Sequence, residues 1–493
     1  MTEVRNYIRG EWISIRQGRE IEVRNPADQD ELLGKGFLAS AHEAEAAITA
    51  ASEALPAWSR MPAPKRGEIV ERAGDLLRAE QDEVARLLTR EEGKTFPEAK
   101  GEIYRAYNVI NYTAGQSRRM GGMTIPSELP RNFAYTMRQP LGVVALITPW
   151  NFPICIPAWK IAPALVAGNT VIFKPSSTTP LTAAKLVEIF ERAGLPAGVL
   201  NLLVGSSSDV GDLLTRDRRV RGISFTGSSE NGTQIYATCA ARGVKAQCEM
   251  GGKNPVIVLE DADLELAVDG IVSGAFGSTG QRCTATSRAI LQDSIADKVV
   301  ERMAERVSRW KLGNGLDPDV QMGPLVSAQQ LKTVQEYIEI GKREGAKLVT
   351  GGGRPSTPSA VARGFFVEPT IFDRVRPEHR IAREEIFGPV LSVLRARDYE
   401  QAMEFANASD YGLTSSIYTN DAGRIFDFCE RMDAGMVHVN SPTVGGEAQI
   451  PFGGVKSSGV GEREQGPSAL DFYTDVKVVY IDYTGAARTS KFY

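Results

Sequence analysis

The amino-acid sequence predicts an α/β protein built on parallel β-sheet. Two observations carry this. Short apolar runs at Val143–Ile147, Thr170–Lys174 and Val199–Val204 recur at roughly 25–30 residue spacing, the length of a strand–helix–strand unit with a right-handed crossover. Between the second and third runs lies "TPLTAAKLVEIFERAG", a helix with both of its ends marked. A third observation sets the scale: 493 residues exceed one ordinary hydrophobic core, so two or three domains are expected.

Taken in chain order, Ser40 with Glu43 reads as a capping box opening a helix through about Leu55, and a helical region follows from about Pro64 to Glu92. The stretch Leu141 to Trp159, "LGVVALITPWNFPICIPAW", is nineteen residues without a formal charge, close to the ~20 that span a membrane. Its prolines decide against a membrane helix. Pro149, Pro153 and Pro157 fall at every fourth position, each lacking an amide donor and clashing with the preceding turn. "GVVALI" instead reads as a strand buried on both faces, which the prolines end. After Thr170–Lys174, Thr179 is the expected N-cap, Pro180 the first helical residue and Gly194 the residue just past the end. Leu181, Ala184, Val187 and Phe190 share that helix's apolar face. Gly222–Phe225 reads as a further strand and Lys245–Cys248 as a weaker one. Val256–Glu260 begins a second α/β region, with helices expected at Leu264–Phe276, Ala296–Lys311 and Ser327–Glu344. Near the C-terminus, "VKVVYIDYT" alternates like an exposed strand able to pair with another subunit.

Lys plus Arg number 57 and Asp plus Glu 61, a formal charge of −4, with no dense basic cluster to hold a phosphate backbone. Nucleic acid is therefore not an expected partner, and the broken apolar run leaves no expected membrane span. The N-terminus alternates charged and single apolar residues, unlike a signal peptide. Five cysteines (Cys155, Cys239, Cys248, Cys283, Cys429), odd in number and without a Cys-x-x-Cys pair, suit a reduced, cytoplasmic setting. The three histidines stand far apart in sequence, so no metal centre is expected.

A parallel sheet of this kind binds ligands at the carboxyl ends of its strands, where "TPWNFP" falls. No G-x-G-x-x-G follows the early strands, so a dinucleotide would need another device. "GSTGQRCTATSR" surrounds Cys283 with small residues. A free cysteine is usually a buried structural residue, but Gly277 and Gly280 let a backbone approach a substrate, and a Cys283 thiolate would attack a carbonyl. In "QCEMGGKNP", Glu249 ends a strand before a tight turn; it is either solvated or, if buried, a usable general base. Asn151 is either a turn residue or an amide donor to a developing oxyanion. In "FTGSSENG", Gly227 and Ser228 open a helix after a strand, a good place for a phosphate. Lys174 in "FKPSS" could reach a ribose or phosphate, and "EEIFGPV" offers Glu385 beside Phe387, otherwise a charged loop entering a strand.

In order and near spacing, "TPWNFP", "KPSS", "FTGSSENG", "EMGGKNP", "GQRC", "EEIFGPV" and "PFGGVKSSG" resemble the aldehyde dehydrogenase superfamily. The resemblance runs from Tyr7 to the C-terminal strand, and "VNSPTVGGEAQIPFGGVKSSGVGEREQGPSALDFYTDVKVVYIDYTG" is most similar to bacterial α-ketoglutarate semialdehyde (2,5-dioxopentanoate) dehydrogenases. It implies an aldehyde-dehydrogenase-like fold of two parallel-sheet α/β domains plus a β-arm. A coenzyme-binding domain would take residues 1–121 and 141–251, a catalytic domain 252–450, and an oligomerisation arm 122–140 and 470–493. It further implies NAD(P)-dependent oxidation of an aldehyde to an acid. Cys283 matches the nucleophile, Glu249 the general base, Asn151 the oxyanion amide, and Lys160 with Glu464 a proton-relaying pair. Lys174 matches an adenosine-ribose contact; Gly227, Ser228 and Gly232 match the helix start under the pyrophosphate; Glu385 and Phe387 match contacts to the nicotinamide half. Thr148, Pro149 and Trp150 stand with these coenzyme contacts. Trp159 and Phe452 match aromatic walls of a substrate tunnel, and a homo-oligomer, dimer or tetramer, is implied.

Two departures stand out. Many NAD-preferring members carry Glu three residues after the strand-end lysine, where it grips the ribose 2′-hydroxyl; here that residue is Ser177. Without the carboxylate, Lys174, Ser176 and Ser177 could hold a 2′-phosphate, so NADP is expected to be accepted and preferred, with NAD as the alternative. One extra residue precedes Glu464. For a substrate ending in a carboxylate, Arg282 is one anchor, and a structural ion pair is its plainer role. Aromatic or aliphatic aldehydes, release to CoA, and a coenzyme-independent cysteine hydrolase or acyltransferase are the competing readings.

Overall fold

The computed structural model describes residues 2–355, 359–485 and 487. The tip of the segment 470–493 (486 and 488–493) lies outside the described residues.

Two large sheets organise the chain. In the first, Lys245–Glu249, Val220–Thr226, Val143–Ile147, Thr170–Lys174 and Leu200–Leu202 lie side by side and parallel, with antiparallel Gly459–Val460 at one edge and the hairpin Asn6–Ile8/Glu11–Ile13 at the other. From Val143–Ile147 the chain winds outward one way through Thr170–Lys174, then returns to add Val220–Thr226 on the other side. The order thus reverses between Val143–Ile147 and Val220–Thr226, and such a reversal opens a crevice at the carboxyl ends of the two strands. Every residue of Val143–Ile147 and of Thr170–Lys174 is buried, as apolar runs covered by helices on both faces require.

The second sheet runs Lys347–Thr350, Thr370–Asp373, Val390–Ala396, Thr286–Gln292, Asn254–Val258, Thr414–Tyr418 and Met436–Val439, parallel except for the first strand. Only four residues separate Glu249, ending a strand of the first sheet, from Asn254, opening one of the second. The carboxyl end of one sheet therefore meets the amino end of the other.

Several expected elements form as read, including Val143–Ile147, Thr170–Lys174 and Leu264–Phe276, and the Ser40–Glu43 capping box is made. Others differ. The first helix runs on through Pro56 to Arg60. Pro157, expected only to terminate the strand, lies in a helix, Cys155–Ala167, which also contains Pro163. Pro157 stands in the first turn, where no intrahelical amide donor is needed. Thr179 precedes the helix Pro180–Arg192, but its side chain makes no capping bond. Buried Glu91 caps instead, accepting from the Leu181 and Thr182 amides at 2.7 and 2.8 Å. A long helix, Phe96–Gln116, was not anticipated; a Thr95–Glu98 capping box opens it.

The C-terminal strand Thr474–Asp482 pairs antiparallel with Asn132–Pro140 of its own chain, Thr474 opposite Pro140 and Asp482 opposite Asn132. That supplies a partner the sequence reading had sought in another subunit, and the two strands with Thr124–Ile125 make a separate three-stranded ribbon. Among the described residues, no helix is long and apolar enough to cross a membrane.

Candidate active site

The crevice at the strand-order reversal opens into a cavity of about 250 Å3. Pro149, Trp150 and Asn151 line it from the end of Val143–Ile147, Thr226, Gly227 and Ser228 from the end of Val220–Thr226, and Cys283, Glu385 and Phe387 from the second sheet's loops.

Cys283 arrives on a strained loop. Ser278, Thr279 and Gly280 all take left-handed backbone (φ 50°, 57° and 67°), and a Cβ on Gly280 would run into the Gly388 carbonyl. Asn254 Nδ2 fixes the loop's far end by donating to the carbonyls of Cys283 and Ala285, each at 2.8 Å. Burial, then the nearby Glu385 and Glu249 carboxylates, push the Cys283 thiol up to about 12, while the Thr284 amide and Arg105 oppose them.

Asn151 is 2% exposed. Its Nδ2 donates to the Gln281 carbonyl at 3.0 Å, spanning from the oxyanion candidate to the loop of the nucleophile. An amide nitrogen carries two hydrogens, so one stays free for a second acceptor. Glu249 is buried, with Gly454 N–H donating to its Oε2 at 3.2 Å. Burial and the neighbouring Glu464 raise its carboxyl well above the ordinary range, against Lys160 and Arg463. Lys160 and Glu464 form a buried ion pair, and Lys160 also donates to Ser224 Oγ at 2.7 Å. Despite the extra residue before it, Glu464 thus meets the lysine the sequence paired it with.

Glu385 Oε1 accepts from the Gly252 amide at 2.9 Å, and burial pushes its carboxyl up to about 7. Phe387, at φ 56°, turns its ring edge-on to Trp150, centroids 5.4 Å apart. Ser228 caps the helix Ser229–Ala240, its Oγ accepting from the Asn231 amide at 3.4 Å, and Gly232 is buried in that helix's first turn. Across the helix, a second, smaller cavity is lined by Lys174, Ser207, Asp212, Arg216 and Asn231. Ser176 and Ser177 stand in the turn after Lys174 and do not border it; Ser176 Oγ folds back to accept from the Thr178 amide at 3.2 Å. The Trp159 and Phe452 rings lie with centroids 5.4 Å apart, tilted by 34°.

A family model, that of the aldehyde dehydrogenase family, matches residues 12–479. The chain belongs to the aldehyde dehydrogenase family. It is 45% identical to the α-ketoglutaric semialdehyde dehydrogenase of Bacillus subtilis, over 97% of each chain. It is 47% identical to the 2,5-dioxopentanoate dehydrogenase of Saccharolobus solfataricus, over 95% of this chain and 97% of that one. Its fold is similar to that of betaine aldehyde dehydrogenase from Staphylococcus aureus solved with NAD+, with a TM-score of 0.95 at 36% identity over 98% and 95% of the two chains. It is an NAD(P)-dependent oxidoreductase acting on aldehydes, with the α/β fold expected from the sequence.

The residues fit a dinucleotide. Two cavities flank the amino end of one helix, where amides point outward, and buried Thr148 Oγ1 and Thr226 Oγ1 have no hydrogen-bond partner among the described residues. Arg282, offered as a substrate anchor, does not line the aldehyde dehydrogenase cavity. Its Nε and NH2 donate to Ser278 Oγ at 3.0 and 2.9 Å, with Glu98 3.6 Å away, because neighbouring side chains on this tight loop point in different directions. Sequence reading missed Arg105, on the helix Phe96–Gln116. Its guanidinium lies 5.6 Å from the centre of the Trp159 ring, with Nε buried and unpartnered among the described residues. It missed Gln330 as well, which lines the cavity and donates to the Ile386 and Phe387 carbonyls. Neither sits in a local pattern that marks it; both reach the site from helices distant in sequence.

Proposed function

We propose that the protein oxidises α-ketoglutarate semialdehyde, or a close semialdehyde ending in a carboxylate, to the corresponding acid, with NADP preferred over NAD. The names of the relatives at 45% and 47% identity support the substrate, and Arg105 beside the Trp159–Phe452 walls supports a negative tail.

Cys283 is the nucleophile. Its thiolate, formed by release of the thiol proton to solvent, attacks the aldehyde carbon and creates an oxyanion, stabilised by the free Asn151 Nδ2 hydrogen and the Cys283 amide. The coenzyme, when bound, supplies the acceptor for the aldehyde hydrogen as hydride. Glu249 then takes a proton from the water that opens the Cys283 thioester to the carboxylic acid, and its raised affinity for protons suits it to act as a base. Lys160 and Glu464, buried next to Glu249, pass that proton outward. Gly227, Ser228 and Gly232 lie under the pyrophosphate; Glu385 and Phe387, with Thr148, Pro149 and Trp150, hold the nicotinamide half; Lys174 meets the adenosine ribose.

In this reading, residues 1–121 and 141–251 bind coenzyme and 252–450 carry the catalytic cysteine. Segments 122–140 and 470–493 supply the arm of a cytoplasmic homo-oligomer; Val476, Val478 and Tyr480 are exposed on the strand Thr474–Asp482. The test is NADP reduction on α-ketoglutarate semialdehyde, with NAD in parallel and CoA omitted. Fast turnover, faster with NADP, supports the reading. Turnover only on aromatic or simple aliphatic aldehydes overturns the substrate.

A further inference from the structure

Behind the loop carrying Asn151 lies a buried charged group that takes no part in the chemistry above. The side chains of Glu92, Lys94 and Glu102 are at most 1% exposed. Lys94 Nζ donates to Glu102 Oε2 at 2.6 Å and to the main-chain oxygen of Asn151 at 2.7 Å, and it lies 4.1 Å from the centre of the Phe152 ring. The other Glu102 oxygen accepts from the Ile154 and Cys155 amides at 2.9 and 3.1 Å, at the start of the helix Cys155–Ala167. One ammonium and one carboxylate therefore hold both ends of the segment 151–155.

One helical turn before Glu102, on the same face of Phe96–Gln116, Glu98 Oε1 accepts from the Ser278 amide at 2.6 Å and stands 3.6 Å from Arg282. Its other oxygen makes the Thr95 capping box. Two carboxylates at i and i+4 thus grip two different loops, one with the oxyanion amide and one with the nucleophile. The direct bond from Asn151 Nδ2 to the Gln281 carbonyl closes the circuit. Apolar residues would pack this interface without desolvating three charges; ion and hydrogen-bond geometry supplies direction that packing does not.

We infer that Lys94 and Glu102, with Glu98, are positioning residues that set the Asn151 amide against Cys283, so that the oxyanion meets its donor as it forms. This rests on the roles proposed above for Asn151 and Cys283. Misplacing a reacting or stabilising group by about 1 Å costs on the order of a hundredfold in rate, so a loosened clamp slows the chemical step and spares binding.

The experiment is single-turnover hydride transfer, measured with aldehyde KM and coenzyme Kd, for Glu102→Gln, Asn151→Ala and the double variant. Asn151→Ala alone is expected to slow the step by about a hundredfold or more. Glu102→Gln alone is expected to slow it roughly tenfold to a hundredfold, with KM and Kd within about twofold of the parent. Added to Asn151→Ala, Glu102→Gln should then change little, since its effect passes through that amide. A full multiplicative loss in the double variant, or an unchanged rate in Glu102→Gln, overturns the clamp. An unchanged rate in Asn151→Ala overturns the oxyanion role itself and the clamp with it. Should Glu102→Gln fail to fold, Lys94→Gln, which loosens the hold on the Asn151 carbonyl, is put through the same cycle and judged by the same outcomes.

Discussion

The Arg105 guanidinium lies over the Trp159 ring, 5.6 Å from its centre, and NH2 reaches Gln465 Oε1 at 3.4 Å. Glycine at 446 is what leaves it room, because a Cβ there would press on the guanidinium nitrogens. A cation whose Nε is buried with no hydrogen-bond partner among the described residues favours a carboxylate entering beside it. Arg105→Leu keeps most of the apolar stem against Trp159 and removes the charge. It is expected to raise KM for an acidic semialdehyde by roughly tenfold to a hundredfold, the worth of a charged hydrogen bond, while KM for propionaldehyde stays put. Steady-state kinetics on the two substrates check this. Equal losses on both would remove Arg105 from the carboxylate site.

The role proposed for Glu249 separates acylation from hydrolysis. Glu249→Gln keeps the shape and loses the base, so the enzyme should make one equivalent of reduced coenzyme per site in a burst and then stall as the thioester. Rapid-mixing absorbance at 340 nm reads the burst. In the parent, a carboxyl held well above its ordinary range is protonated, and idle, at low pH. Its kcat should therefore climb through the region above the usual carboxylate value and level off once the raised value is passed. A kcat flat from about pH 5 to 9 would show that the base titrates elsewhere.

Burial, Glu385 and Glu249 push the Cys283 thiol up to about 12. Thiolate is the reactive form and is scarce below that value, so iodoacetamide labelling should rise about tenfold for each unit of pH between 7 and 9. Glu385→Gln removes a negative neighbour and should speed labelling at pH 7. Labelling already level at pH 7, followed by mass spectrometry of the Cys283 peptide, would mean that the resting enzyme holds a thiolate.

Much of the frame was legible in sequence because its signals are local. Val143–Ile147 and Thr170–Lys174 are apolar runs bounded by turn residues, and "ELAVDGIVSGAF" carries its own periodicity between Asp263 and Gly277. The helix at Cys155 was hidden because a proline breaks a helix interior yet suits a first turn, and residue order alone does not say where the first turn falls. The order of short motifs singled out Cys283 and Asn151, which line one cavity. Arg105, Lys94 and Glu102 were not legible, because their partners, Trp159 and the 151–155 loop, lie some fifty residues away and only the helix Phe96–Gln116 packing on Cys155–Ala167 brings them together. Arg282 misled for the converse reason: adjacency to Cys283 in sequence says nothing about where its side chain points, and Ser278 and Glu98 hold it.

The proposed preference for NADP is tested at the second cavity. Lys174 lies on its wall, and burial pulls the ammonium down to about 8, so an entering phosphate dianion would restore full charge to it. Arg216 adds a second cation on the same wall, while Asp212 opposes it. Ser177, half-buried in the turn after Lys174, brings no charge of its own. Ser177 does not border the cavity, but Ser177→Glu adds a longer, charged side chain in the turn beside it, able to reach toward a 2′-phosphate and repel it, or to accept from a 2′-hydroxyl. It is expected to lower kcat/KM for NADP by roughly tenfold to a hundredfold and to leave NAD equal or better, a reversal that a general loss of folding cannot produce. Arg216→Ala should weaken NADP alone, by a smaller factor, because the side chain is exposed and its field is screened. Parallel kcat/KM measurements with both coenzymes, repeated at low and high salt, check this: the Arg216 effect shrinks with salt. If Ser177→Glu uses NADP as well as the parent does, the absent carboxylate is not what sets the preference, and Lys174 with Arg216 must set it alone.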